Sequence, residues 1–242
     1  MIEICCGGYA DALEVAKCGI KRIELNSALA LGGLTPSLAT LKLIKTTTNL
    51  EVIAMVRVRP GGFNYNDKEL EESFAQAREL LMGGADGIAF GCLNEDYTIN
   101  EEVIAKFVFL AHSLGKTFVF HRAFDLTSNL NQSIETLIKL NVDRVLTSGG
   151  RKSAIDGQEN LKELVERYGD KIEILAGSGI NAKNVKSLIE YTGIKQIHSS
   201  CRSYQIDKTA SNQYLSFGYH AENDYECVDL AKVQELILQC DE

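Results

Sequence analysis

An apolar run ends in charge at Thr117-Phe118-Val119-Phe120-His121-Arg122, with Asp125 three residues further on. Side chains alternate on an extended chain, so Thr117, Val119 and His121 share one face and Phe118 and Phe120 the other. An imidazole changes charge near neutral pH, and at the end of a buried strand His121 reads as a proton shuttle. Glu24, in Arg22-Ile23-Glu24-Leu25-Asn26, is its carboxylate partner or a second base, and Arg57 brings fixed positive charge. Glu24, His121 and Arg57 are therefore the catalytic candidates. Arg59 and Arg122 are either anion contacts or solvated rim residues.

A second group of residues suits an anion. Gly177-Ser178-Gly179 runs into Asn181, a helix cap, and His198, Ser199 and Ser200 end the next strand-like segment. Glycines let backbone amides approach an anion, and helix N-termini favour negative charge. Thr147 and Ser148 end another such segment. The bland alternatives are tight turns for the glycines, and a His198 that merely orients Ser200. Among the seven cysteines, none spaced C-x-x-C, Cys5, Cys6, Cys92 and Cys201 fall at strand ends. Thiolates favour soft ions such as Cu(I), although small buried thiols are commonly packing residues.

What positions these groups is a repeating unit: short apolar strand, polar tip, loop, helix. Strands are expected at 2–5, 22–26, 51–59, 87–90, 117–121, 143–147, 172–176 and 196–199. Helices should begin at Thr35-Pro36, at Asp67 and at Asn100, run over 130–140 and 159–168, and restart after Asn181. Strands alternating with helices imply a parallel sheet with helices outside. Eight such units in 242 residues match a closed (β/α)8 barrel in one domain. An open doubly wound sheet would need a G-x-G-x-x-G turn after its first strand, and Gly7-Gly8-Tyr9 is not one. The pattern lapses over 203–227, a polar, Tyr-rich, irregular segment, before a last amphipathic helix at 228–239.

A net charge of −8 argues against a nucleic-acid binder. No apolar run approaches a membrane span. Met1-Ile2-Glu3-Ile4 lacks a basic leader, so a reduced, cytoplasmic protein with free thiols is expected. Glu3, Arg22 and Arg144, low on their strands, are expected to form buried ion pairs.

Seven segments in order, Ile2–Cys5, Arg22–Ala30, Gly32–Ser37, Met55–Pro60, Phe120–Asp125, Arg144–Gly149 and Ile197–Ser200, resemble the copper homeostasis protein CutC family. The resemblance implies a cytosolic TIM barrel, commonly a homo-oligomer, with a role in copper handling. It implies Cys5 as a Cu(I) ligand; the position of the family's second proposed ligand holds Asn26 here. Glu24, Arg57, His121, Arg122, Asp125, Thr147, Ser148, His198 and Ser200 also match. Two functions follow as expectations. One is copper homeostasis with Cu(I) binding through Cys5. The other is an enzyme acting on a small anionic or phosphorylated metabolite, with His121 and Glu24 moving protons. An assembly scaffold using 203–227 as its contact is the third reading.

Overall fold

Alternation of period two closes on itself. In a computed structural model describing residues 1–218, 220 and 224–240, eight parallel strands form a closed barrel in chain order. They are β1 (Ile2–Cys6), β2 (Arg22–Leu25), β3 (Glu51–Met55), β4 (Gly87–Phe90), β5 (Thr117–Phe120), β6 (Arg144–Thr147), β7 (Glu173–Ala176) and β8 (Gln196–Ser199). The seam is β1 against β8, with Glu3 opposite His198. Helices α1 (Tyr9–Lys17), α2 (Leu38–Thr47), α3 (Asp67–Met82), α4 (Glu101–Ser113), α5 (Leu130–Lys139), α6 (Gln158–Tyr168) and α7 (Val185–Thr192) follow the first seven strands. The last helix, α8 (Leu230–Cys240), closes the described chain.

The two strand faces are sorted by chemistry. Ile4, Ile23, Val52, Ile88, Phe90, Phe118, Phe120 and Val145 face the helices and join one continuous apolar core, in which Phe90 stacks on Phe107 of α4. Ile53, Met55, Ala89, Val119, Leu146 and Leu175 fill the middle of the barrel as a separate apolar cluster. Beneath them lies charge. Arg22 Nε is 2.7 Å from Glu3 Oε2, both nearly inaccessible, and Arg22 Nη2 donates to Gln196. Arg144 pairs with Glu173 at 2.7 Å. Glu3 and Arg22 form the expected buried ion pair, whereas Arg144, itself buried, pairs with a half-exposed Glu173.

Several boundaries differ from the sequence expectation, each for a local reason. Ser37, not Thr35, caps α2, accepting from the Thr40 amide. Thr35 is drawn to the barrel instead, where its Oγ1 accepts from the Arg57 amide. Asn66, not Asp67, caps α3 in a box with Glu69. α7 starts at Val185, with Asn181 making a turn just ahead of it through the Lys183 amide. The third strand stops at Met55 rather than Arg59, because Arg57 leaves the sheet for Thr35. The segment 203–227, expected to be irregular, carries an antiparallel pair at its ends, β9 (Arg202–Ile206) with β10 (Asp224–Val228). Asp11 of α1 anchors it by accepting from the Val228 amide. No helix among the described residues is long and apolar enough to cross a membrane.

Removing one member of a buried ion pair strands its partners. Glu3→Ala, which leaves Arg22 and His198 without their carboxylate, should lower the unfolding free energy by about 3 kcal/mol. Urea denaturation checks this.

Candidate active site at the barrel mouth

Strand tips converge at the carboxyl end of the barrel, as β/α alternation requires. Cys5, Glu24, Asn26, Arg57, His121, Arg122 and His198 meet there around a cavity of about 160 Å³, walled also by Leu29, Gly32, Met55, Phe63 and Leu146. A wider cavity of about 590 Å³ opens beside it, lined by Ser178, Gly179, Ser199 and Ser200 among others, and the two share Cys5, Arg122 and His198.

On one wall, Cys5, Glu24 and His198 offer a sulfur, a carboxylate oxygen and an imidazole nitrogen within 4.8 Å of one another. His198 Nδ1 lies 2.8 Å from Glu3 Oε1, which leaves Nε2 as the free ring nitrogen. Burial disfavours the charged imidazole, but the Glu3 hydrogen bond and the Glu24 and Glu3 charges together overcome it, so the His198 pKa lies above its ordinary value. Glu3 lies below the usual carboxylate range, burial being overcome by His198 and then by Arg22 and Arg144. Asn26 Nδ2 donates to Glu24 Oε2 at 2.8 Å and reaches Cys5 Sγ at 3.4 Å. Burial pushes the Glu24 carboxyl up despite the nearby His198 charge. Burial, reinforced by Glu24, holds the Cys5 thiol well above its ordinary value. Asn26 needs a glycine opposite, since a Cβ on Gly33 would sit 2.3 Å from its Oδ1.

His121 is 3% exposed and faces the same cavity. Its ring is packed by Phe63, 4.8 Å between centroids, and by Gly91, where a Cβ would approach to 2.7 Å. The Ala123 amide donates to Nδ1, so the neutral ring carries its proton on Nε2, and that atom has no partner. Burial, aided by the Arg57 charge, pushes the His121 pKa down to about 3. At neutral pH His121 is thus a hydrogen-bond donor. In that state the ring holds its proton on Nε2.

Arg57 lines the cavity and spends most of its donors on backbone carbonyls. Its Nη1 donates to the carbonyls of Leu31, Gly32 and Gly33, and Nη2 to Gly61 at 2.7 Å. The guanidinium clamps the loops after β2 and β3 together and shields Phe63, leaving only a buried Nε without a partner. Arg59 turns away from the mouth to pair with Glu69 and bind the Gly62 and Asn64 carbonyls. Thr147 and Ser148 are fully buried behind the mouth. With the Gly150 amide they donate to Asp125, which also accepts from Arg122 Nε. Gly177 faces the barrel interior, where a Cβ would meet Leu146 at 2.7 Å. Ser199 Oγ donates to the Ile180 carbonyl. No hydrogen bond or ion pair links Glu24 with His121, although both face the cavity. Sequence reasoning missed Met55 and Leu146, which period-two counting from Arg57 and Arg144 would have placed inside, and Phe63, which arrives on a loop without a periodic signal.

The architecture defines a TIM-barrel protein with a polar candidate site at the carboxyl end of its strands. The sequence profile of the CutC family matches residues 1–203, and the chain belongs to that family. A CutC family protein of Treponema denticola is 41% identical over 240 residues, 98% of this chain and 97% of its own length. A mouse protein named copper homeostasis protein cutC homolog is 35% identical over 98% of this chain and 88% of its own. The crystal structure of a CutC protein from Streptococcus agalactiae superposes with a TM-score of 0.78 at 31% identity, covering 83% of this chain and 98% of that one.

His121 sets part of the acid limb of stability. The unfolded state, with an ordinary histidine pKa near 6.5, binds a proton that the folded state refuses until about pH 3. Stability therefore falls as pH drops through that window, by about 2 kcal/mol at pH 5 from this residue. The non-titrating His121→Gln should lose that component when unfolding free energies at pH 7 and pH 5 are compared.

Proposed function

We propose that this CutC chain serves copper homeostasis by binding one copper ion at the barrel mouth, with Cys5 Sγ, the Glu24 carboxylate and the His198 imidazole as ligands. The observation that carries the reading is the closeness of those three donor atoms, all within 4.8 Å of one another on one wall of a cavity. Metal–ligand bonds of about 2.0–2.3 Å place neighbouring donors about 3.5 Å apart, so a small inward movement closes the set. Thiolate and imidazole are copper ligands, and the carboxylate adds an oxygen donor. The Glu3–His198 bond is the kind of outer-shell contact that fixes a ligating imidazole, since Nδ1 is occupied and Nε2 is presented. Asn26, where the family resemblance implies a second thiol, holds Glu24 and Cys5 in place. The relatives named for copper homeostasis support the role. The unpaired, buried thiols Cys5, Cys6, Cys92 and Cys201 suit the reducing cytoplasm as its location.

Copper should be measured by competition against a chromophoric Cu(I) chelator and, separately, by direct Cu(II) titration. The wild-type chain should take up one equivalent in at least one state, and Cys5→Ser and His198→Ala should each weaken it at least tenfold. Equal binding by all three proteins would remove the assignment. Because the Cys5 thiol must give up a proton to bind, and His198 must be neutral although its pKa is raised, affinity should fall at least tenfold for each pH unit lowered. Repeating the competition at pH 6, 7 and 8 checks this.

A further inference from the structure

The three donors at the mouth are not alike. Cys5 brings a soft sulfur, His198 a borderline nitrogen and Glu24 a hard oxygen. Cu(I) is served by thiolate and imidazole and gains little from a carboxylate, whereas Zn(II) and Cu(II) take all three kinds. Glu24 is also held in place. It is 4% exposed, and Asn26 Nδ2 donates to its Oε2 at 2.8 Å. That same amide nitrogen lies 3.4 Å from Cys5 Sγ, so a hydrogen-bond donor fills the place from which a second soft ligand would join the sulfur.

Charge points the same way. As ligands, a thiolate and a carboxylate carry two negative charges and the imidazole none. A divalent ion cancels both. Cu(I) leaves one uncancelled on side chains of residues only 8% and 4% exposed, where unpaired charge is costly. Further acidic charge acts there, Glu3 on both Cys5 and Glu24, and Glu226 on Cys5. The neighbouring cations are engaged elsewhere: Arg22 with Glu3, Arg122 with Asp125, and Arg57 with its charge bearing on His121. The three donors also stand on one wall of the inner cavity, and three protein ligands with one open position is a zinc arrangement. We propose that the mouth is selective for a divalent transition-metal ion, Zn(II) or Cu(II), and that Glu24 is the residue that sets this selectivity. Cu(I) is held by Cys5 and His198 without it. This deepens the copper reading and rests on its donor set.

Zn(II) is the probe, since it has no redox chemistry and cannot oxidise Cys5. The reduced full chain is titrated with Zn(II) and with Cu(I), each in competition with a chromophoric chelator, for the wild type, Glu24→Gln and Asn26→Cys. The wild type should bind one Zn(II). Glu24→Gln keeps the side-chain shape and an oxygen for Asn26, and should weaken Zn(II) at least tenfold while leaving Cu(I) within about threefold. Asn26→Cys should tighten Cu(I) at least tenfold more than it tightens Zn(II). Co(II) reports on the native chain without any variant: a thiolate-to-cobalt charge-transfer band should appear on titration and vanish when Zn(II) displaces the cobalt. No Zn(II) uptake by the wild type, no such cobalt band, or equal changes for the two ions in either variant would overturn the proposal. The copper reading then still stands if Cys5→Ser and His198→Ala weaken copper. Conversely, absence of copper binding in either oxidation state, with Zn(II) bound and weakened by Glu24→Gln, removes copper as the cargo and upholds the divalent site.

Discussion

Glu3 is a full charge in a place water does not reach, and the barrel is arranged so that it never stands alone. It meets Arg22 from β2 on one side and His198 from β8 on the other. Since β1 and β8 form the seam, the same carboxylate ties the first and last strands of the ring and connects them to the second. Desolvation of a carboxylate is severe, and two partners of opposite charge offset it where one would leave a deficit. The functional consequence is orientational. With Nδ1 occupied by Glu3, the His198 ring presents a defined nitrogen to the mouth, so the ion-pair layer below sets the donor geometry above.

The mouth itself is held from both sides by groups that never face its cavity as ligands. Arg57 gathers carbonyls from the loops after β2 and β3, while Asp125 gathers hydroxyls, amides and the Arg122 side chain from the loops after β5 and β6. Each clamp converts flexible connections into a fixed frame, which is what loops carrying chemistry on a rigid scaffold require. Between the two clamps His121 is wedged against Phe63 and Gly91, which explains why its ring can stay neutral and its second nitrogen unsatisfied.

The barrel was legible because alternation recurs on most of the strands and glycines punctuate most of the gaps between them, and the polar tips on the inward phase fell where expected. Cys5, Glu24, His121, Arg122 and His198 do share one cavity. What stayed hidden follows from physics that a linear pattern does not carry. Arg57 has the right phase and reaches the mouth, yet backbone carbonyls from distant loops claim its donors, and nothing in the string marks those carbonyls as unsatisfied. Thr147 lies on the outward phase, one residue from the inward Leu146, so alternation alone places it behind the wall. His121 looked like an acid–base group because its type suggests one; only depth and the neighbouring guanidinium make it a donor. The β9–β10 pair lacks alternation because neither of its faces is fully buried, so no periodic signal had to be written into it.

Asn26 also governs what oxidants can do to the mouth. Its amide nitrogen stands 3.4 Å from Cys5 Sγ, on the strand beside it. A second thiol at that position could be stapled to Cys5 across β1 and β2, sealing the wall and removing a donor in one step. An amide cannot form that crosslink, so peroxide or disulfide stress has no route between these two strands that would lock the pocket shut.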